Sequence, residues 1–272
     1  MSNTLRKRRQ FGLTIIAPVL GFVIIMVLEI ILKLEVSKLQ SSLFNLAVLA
    51  AVALVVFPRW LGIPFGRIST REFLEKLGFT VPVDAWKHVV LGVVLAACTL
   101  SGMLAASLVT GDYVVDWGTV NVPHLVFSLN PALGEELFYR GVLMFLLLRL
   151  TRDVKKAALI QVALFGVLHI KGLGVWGLVD TFTVTVIAVG FTYVAYRTRS
   201  LLAGVVFHYI HDALLFLVQL NDGVHTGVAD NLLFFGTLWL MVGVGCVVTG
   251  LAAGRFGVHA SDELYSLEKF SE

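Results

Sequence analysis

The chain has 272 residues, 58% of them hydrophobic and 14% charged, with a net charge of +3. Soluble domains average about 25% charged residues, and none of this size hides so much apolar surface from water. A soluble enzyme or a soluble binding module is therefore excluded, and the charge is too small to suggest a nucleic-acid partner.

The expected elements are membrane-spanning helices, because lipid leaves every backbone amide to be satisfied within its own segment. About 20 apolar residues cross the ~30 Å of hydrocarbon. Runs near that length lie at 11–33, 41–57, 86–110, 124–150, 155–170, 175–196, 200–220 and 230–253. The first follows MSNTLRKRRQ, but it is too long for a signal-peptide core and no small-residue cleavage site follows, so an uncleaved span is expected. No repeat or low-complexity stretch interrupts the chain. The expectation is one integral membrane domain over 1–272, an all-α polytopic bundle of about eight transmembrane helices.

The basic residues orient it. With the N-terminus inside, cytoplasmic segments would hold Arg6, Lys7, Arg8, Arg9, Arg59, Arg67, Arg71, Lys76, Lys87, Arg149, Arg152, Lys155, Lys156, Arg197, Arg199, Arg255 and Lys269. That is 17 of the 21 basic residues. Outer segments hold only Lys33, Lys38 and Lys171. This asymmetry fits eight spans with both termini cytoplasmic. A bacterial-type plasma membrane is the expected location.

Ionisable groups deep in a membrane are costly and mark function by default. Glu135, Glu136 and Arg140 lie in the fourth span, His169 in the fifth, and His208, His211 and Asp212 in the seventh. Glu136 and Arg140 are four apart and share a helix face, so they can pair. Glu135 sits about 100° round the helix and can point elsewhere. His208 and Asp212 also share a face. Counted from the flanking basic residues, Glu135, His169 and Asp212 each lie roughly 20 Å from the cytoplasmic boundary. Asn130 and Pro131 form a cap-and-first-turn pair, which predicts a helix restart that sets both glutamates near a helix N-terminus.

A carboxylate and a histidine in a protected wet pocket can deprotonate a water, and a second histidine can stabilise an oxyanion. Neither GxSxG nor HExxH is present, although Glu135, His169 and His208 are chemically suited to bind Zn²⁺. Cys98 and Cys246 match no metal or disulfide spacing. For each polar group alone there is a bland alternative: a buried ion pair, a core histidine, an interhelical clamp. His211 reads as structural, and Asp180, His88, His124, His225 and His259 receive no role.

EELFYR reads as EExxxR, FGVLH as FxxxH and HYIHD as HxxxD. In this order on late helices they resemble the CAAX-protease and bacteriocin-processing family of intramembrane endopeptidases, over about 85–220. The resemblance implies an eight-helix bundle and hydrolysis of a peptide bond in a membrane-associated, in some members lipidated, substrate. It implies that Glu135 and His169 activate the water, Glu136 and Arg140 support them, His208 and Asp212 line the oxyanion side, and Phe165 packs. The prenyl endopeptidases end the last motif with Asn, where this chain has Asp212. An ionised Asp212 would repel an oxyanion, so Asp212 is either protonated or orients His208 from behind, and the second is the expected role. No obligatory metal is expected, with Zn²⁺ as the rival. Lipid and a membrane-associated peptide or protein are the expected partners. The same resemblance admits a non-catalytic scaffold or immunity protein.

Overall fold

The computed structural model describes residues 38–61, 69–79, 84–111, 113–170, 172, 174–215, 217–220 and 228–256. Seven of the eight expected spans coincide with helix there. The first, 11–33, lies outside the described residues, as do Lys33, Lys171, His225 and His259.

Helix α1 (Lys38–Ala51) runs through a π-helical turn at Val52–Val56 into α2 (Phe57–Trp60). A short helix α3 (Thr70–Lys76), capped by the Ser69 hydroxyl, precedes the long α4 (Ala85–Thr110). Strand β1 (Tyr113–Val115) pairs antiparallel with β2 (Val218–Leu220), Val114 opposite Gln219. Helix α5 (Val122–Glu135) passes without a break into a π-helical segment, Glu136–Leu143, and then α6 (Met144–Thr151). Next come α7 (Val154–Leu168), α8 (Val175–Thr198), α9 (Leu202–Leu215) and α10 (Val228–Phe256). The result is a polytopic membrane helix bundle, nearly all α. The β-ribbon was not expected: its Val-rich strands read as the end of a span and part of a loop.

Among the described residues, four stretches are long and apolar enough to cross a bilayer: Leu39–Val56, Ala85–Thr110, Val175–Thr198 and Val228–Phe256. Large apolar side chains stay exposed on them, among them Leu108, Leu240 and Leu251, as lipid permits and water does not. Helix α4 packs along α10 and α9. At Gly92 a Cβ would lie 2.6 Å from the Ala203 carbonyl oxygen, so glycine sets the spacing of α4 and α9. Two apolar cores result, one around Leu95, Phe165, Phe191 and Phe207, the other joining Phe57, Phe73, Leu77, Leu137 and Phe145.

The expected restart at Pro131 does not occur. The helix begins at Asn121, whose side chain accepts from the His124 amide at 3.1 Å, and Pro123 occupies the first turn. Asn121 and Pro123 are thus the real cap-and-first-turn pair. Pro131 is inside a continuous helix, and both glutamates lie far from its N-terminal dipole end. The irregularity is instead the π segment immediately after Glu135. At the start of α7, Asp153 caps the Lys155 and Lys156 amides at 2.9 and 3.2 Å. Those backbone bonds, that to Lys156 foremost, hold its carboxyl below the usual carboxylate range.

Candidate active site

The π segment begins one residue after Glu135 and carries Glu136 and Arg140. Arg140 donates from one terminal nitrogen to Glu136 Oε1 at 3.0 Å and from the other to the Ala188 carbonyl at 3.4 Å. Both side chains are fully buried. Burial of such a pair is tolerable only when each charge is well compensated. The guanidinium also lies 4.6 Å from the Phe165 ring centre and 5.0 Å from that of Phe191, a cation held between two faces. The expected Glu136–Arg140 pairing is what the side chains make.

Glu135 turns to a different side and meets both histidines. Its Oε1 lies 3.7 Å from His169 Nε2, and its Oε2 lies 3.8 Å from His208 Nε2. His169 ends α7 as its C-cap residue. Its Nδ1 stands 2.6 Å from the Phe165 carbonyl, and its ring stacks on Phe165 at 4.3 Å. A carbonyl only accepts, so Nδ1 carries the proton; in the neutral ring Nε2 then has a free lone pair toward Glu135.

His208 is held from two directions. Its Nδ1 lies 3.0 Å from Glu136 Oε1, and its Nε2 lies 3.5 Å from Asp212 Oδ2. Phe191 stacks on the ring at 4.2 Å. This corrects the expectation for Asp212. The group behind the imidazole, on the nitrogen away from Glu135, is Glu136. Asp212 faces the same nitrogen as Glu135. The reason is helical phase: Asp212 is one turn further along α9, while Glu136 crosses from the π segment beside Gly204. A Cβ at Gly204 would sit 2.9 Å from Glu136 Oε2, so only glycine leaves that carboxylate its place.

Six of the expected residues, Glu135, Glu136, Arg140, His169, His208 and Asp212, therefore meet in one cluster, with Phe165 as its packing member. His211 points into the aromatic core between Phe191 and Phe207. Phe191, Ala188 and Gly204 escaped the sequence reading, and His124 was given no role in it. His124 Nε2 lies 3.2 Å from the Asp212 carbonyl and ties the start of α5 to the end of α9. Gly204 had a signal, since Gly204, His208 and Asp212 follow at i, i+4 and i+8 on one face. Phe191 had none. Among the described residues, no three His, Cys, Asp or Glu side chains are arranged to hold a metal ion.

Residues 117–214 match the model of a family described as type II CAAX prenyl endopeptidase Rce1-like. No curated protein and no solved structure matches the chain. The matched stretch holds all six clustered residues, so this part of the chain is similar to the Rce1-like CAAX endopeptidases.

Proposed function

We propose that this protein is an intramembrane endopeptidase that cleaves a membrane-associated peptide with a water activated by Glu135 and His169. The observation that carries the reading is the convergence of Glu135 on His169 and His208, at 3.7 and 3.8 Å. Those gaps are wider than direct hydrogen bonds, and the geometry suits a water that donates to Glu135 and to the His169 Nε2 lone pair. Glu135 takes a proton from the water, and the oxygen attacks the peptide carbon. The oxyanion formed is met by His208. With Glu136 accepting from Nδ1, a doubly protonated His208 donates Nε2–H to the developing charge. Collapse breaks the C–N bond, and the proton on Glu135 passes to the leaving amine. Arg140 holds Glu136 in position through the 3.0 Å contact.

The mechanism is of the glutamate type and asks for no metal. The family's name refers to prenylated CAAX substrates; a lipidated peptide is one substrate of this chemistry, and any extended segment reaching the cluster is another. A non-catalytic scaffold would leave the convergence of three chemically complementary side chains without a reason.

The test compares membranes from cells carrying the wild-type chain with cells carrying Glu135→Gln, by enrichment of new peptide N-termini. The wild-type sample should contain membrane-protein N-termini that Glu135→Gln lacks, with the uncleaved precursors accumulating instead. Identical N-termini in both would count against proteolysis.

A further inference from the structure

The cluster is unevenly buried, and the gradient has a direction. Glu136 and Arg140 are fully buried and His208 is 4% exposed, whereas Glu135, Asp212 and His169 are 26, 24 and 29% exposed. Arg140 lies further than Glu135 toward the end of α6, and His208 lies nearer than Asp212 to the start of α9. The buried members therefore sit toward the bundle end where α6 finishes and α7 and α9 begin. The exposed members sit toward the opposite end, which carries the β-ribbon.

The two ends differ chemically. The first gathers Arg71, Lys76, Lys87, Arg149, Arg152, Lys155, Lys156, Arg197, Arg199 and Arg255. It is also closed beneath the site. Leu201 N donates to the Gly78 carbonyl at 2.8 Å, and Leu77, Ser200 and Leu201 are fully buried. The loop after α3 thus packs under the α8–α9 turn. At the ribbon end the helices that bear the histidines stop early. His169 caps α7, and Asp212 is three residues from the end of α9. With 15 and 14 residues, they span roughly 21–23 Å, short of the ~30 Å core. Helices α4, α8 and α10, with 26, 24 and 29 residues, exceed it. By contrast the ribbon end is expected to hold only Lys33, Lys38 and Lys171, with no Lys or Arg between Lys87 and Arg140 or between Arg199 and Arg255. The positive-inside rule puts such an end away from the cytoplasm.

We infer that the site opens at the ribbon end, onto the non-cytoplasmic face, and that its substrate is a peptide segment presented from that face. This inference rests on the endopeptidase reading for the word substrate, but the opening itself does not. A polypeptide anchored in or exported across the membrane has the required placement. A tail that stays in the cytoplasm meets the closed floor.

The experiment labels single cysteines with a charged, membrane-impermeant methanethiosulfonate, in full-length protein with Cys98 and Cys246 replaced by alanine. Asp116→Cys marks the ribbon end and Lys155→Cys the basic end. Asp212→Cys and, separately, His169→Cys report the site, each used only where the purified variant is monodisperse. Intact cells should label Asp116→Cys and both site variants, and inverted vesicles should label Lys155→Cys alone. Site labelling from the Lys155 side, or from neither side, would overturn the inference; so would labelling of Asp116→Cys in inverted vesicles. Should both site variants misfold, modification of His169 in the unsubstituted protein by an impermeant histidine reagent, read by mass spectrometry, decides. It should occur from the Asp116 side, and modification from the Lys155 side would overturn the inference. Cysteine labelling needs no turnover, so a missing peptidase activity would sink the endopeptidase reading alone.

Discussion

At the scale of the residue, the informative side chain is His208, which has a carboxylate on each ring nitrogen. Glu136 is the closer, at 3.0 Å against 3.5 Å for Asp212, and it is the one fixed by a buried arginine. Removing Glu136 thus does two kinds of damage. Glu136→Gln leaves the Arg140 charge uncompensated in the bundle, a loss of about 3–5 kcal/mol. It also frees the ring from its anchor. Asp212→Asn removes no charge partner of Arg140 and keeps a hydrogen-bonding group near Nε2. A neutral hydrogen bond contributes about 1 kcal/mol, so activity should change by less than ~10-fold. Peptidase rates and unfolding midpoints of the two variants in detergent check this ordering. Equal losses, or a larger loss for Asp212→Asn, would return the orienting role to Asp212.

At the scale of the element, small residues set how closely the helices carrying the site approach one another. Gly92→Ala would press a methyl group against the Ala203 backbone, which has no flexible end to move aside. Overpacking of this kind costs about 1–3 kcal/mol, so the thermal midpoint should fall while membrane insertion is kept. An unchanged midpoint would mean that α4 and α9 are free to separate. The spans themselves were legible in the sequence because apolar length and charge placement are direct physical demands of a bilayer. The π segment was not, since EELFYRGVL has an ordinary helical pattern and its register is set by Glu136 and Arg140 reaching α8 and α9. Pro131 misled for a related reason: a proline beside asparagine signals a helix start only where the preceding turn is free to end, and here α5 is already packed against α1.

At the scale of the whole molecule, the sequence spacing anticipated which polar groups meet but not how they are wrapped. Glu135, His169 and His208 could be found because charge in an apolar run is conspicuous. Phe191, which stacks on His208 and flanks Arg140, is one aromatic residue in an apolar helix and carries no such mark. The depth of the site was also only half legible. Counting from Arg149 and Lys155 gives roughly 20 Å. Counting from the first residue of α9 puts His208 only six residues in, about 9 Å. The two counts start from different chain positions and end on residues that stand together, since Glu135 Oε2 lies 3.8 Å from His208 Nε2.

The central claim is that Glu135 is the base that activates water, without a metal in its place. Its most direct test is the single-turnover cleavage rate of purified wild-type and Glu135→Gln protein on a membrane-bound substrate, both treated with chelator and verified metal-free by elemental analysis. Glutamine keeps the shape but cannot accept the proton, so the rate should fall by ~10²-fold or more while the metal-free wild type stays active. A wild type that loses activity with its metal and regains it with Zn²⁺ alone, or a Glu135→Gln variant that cleaves at the wild-type rate, would contradict the account.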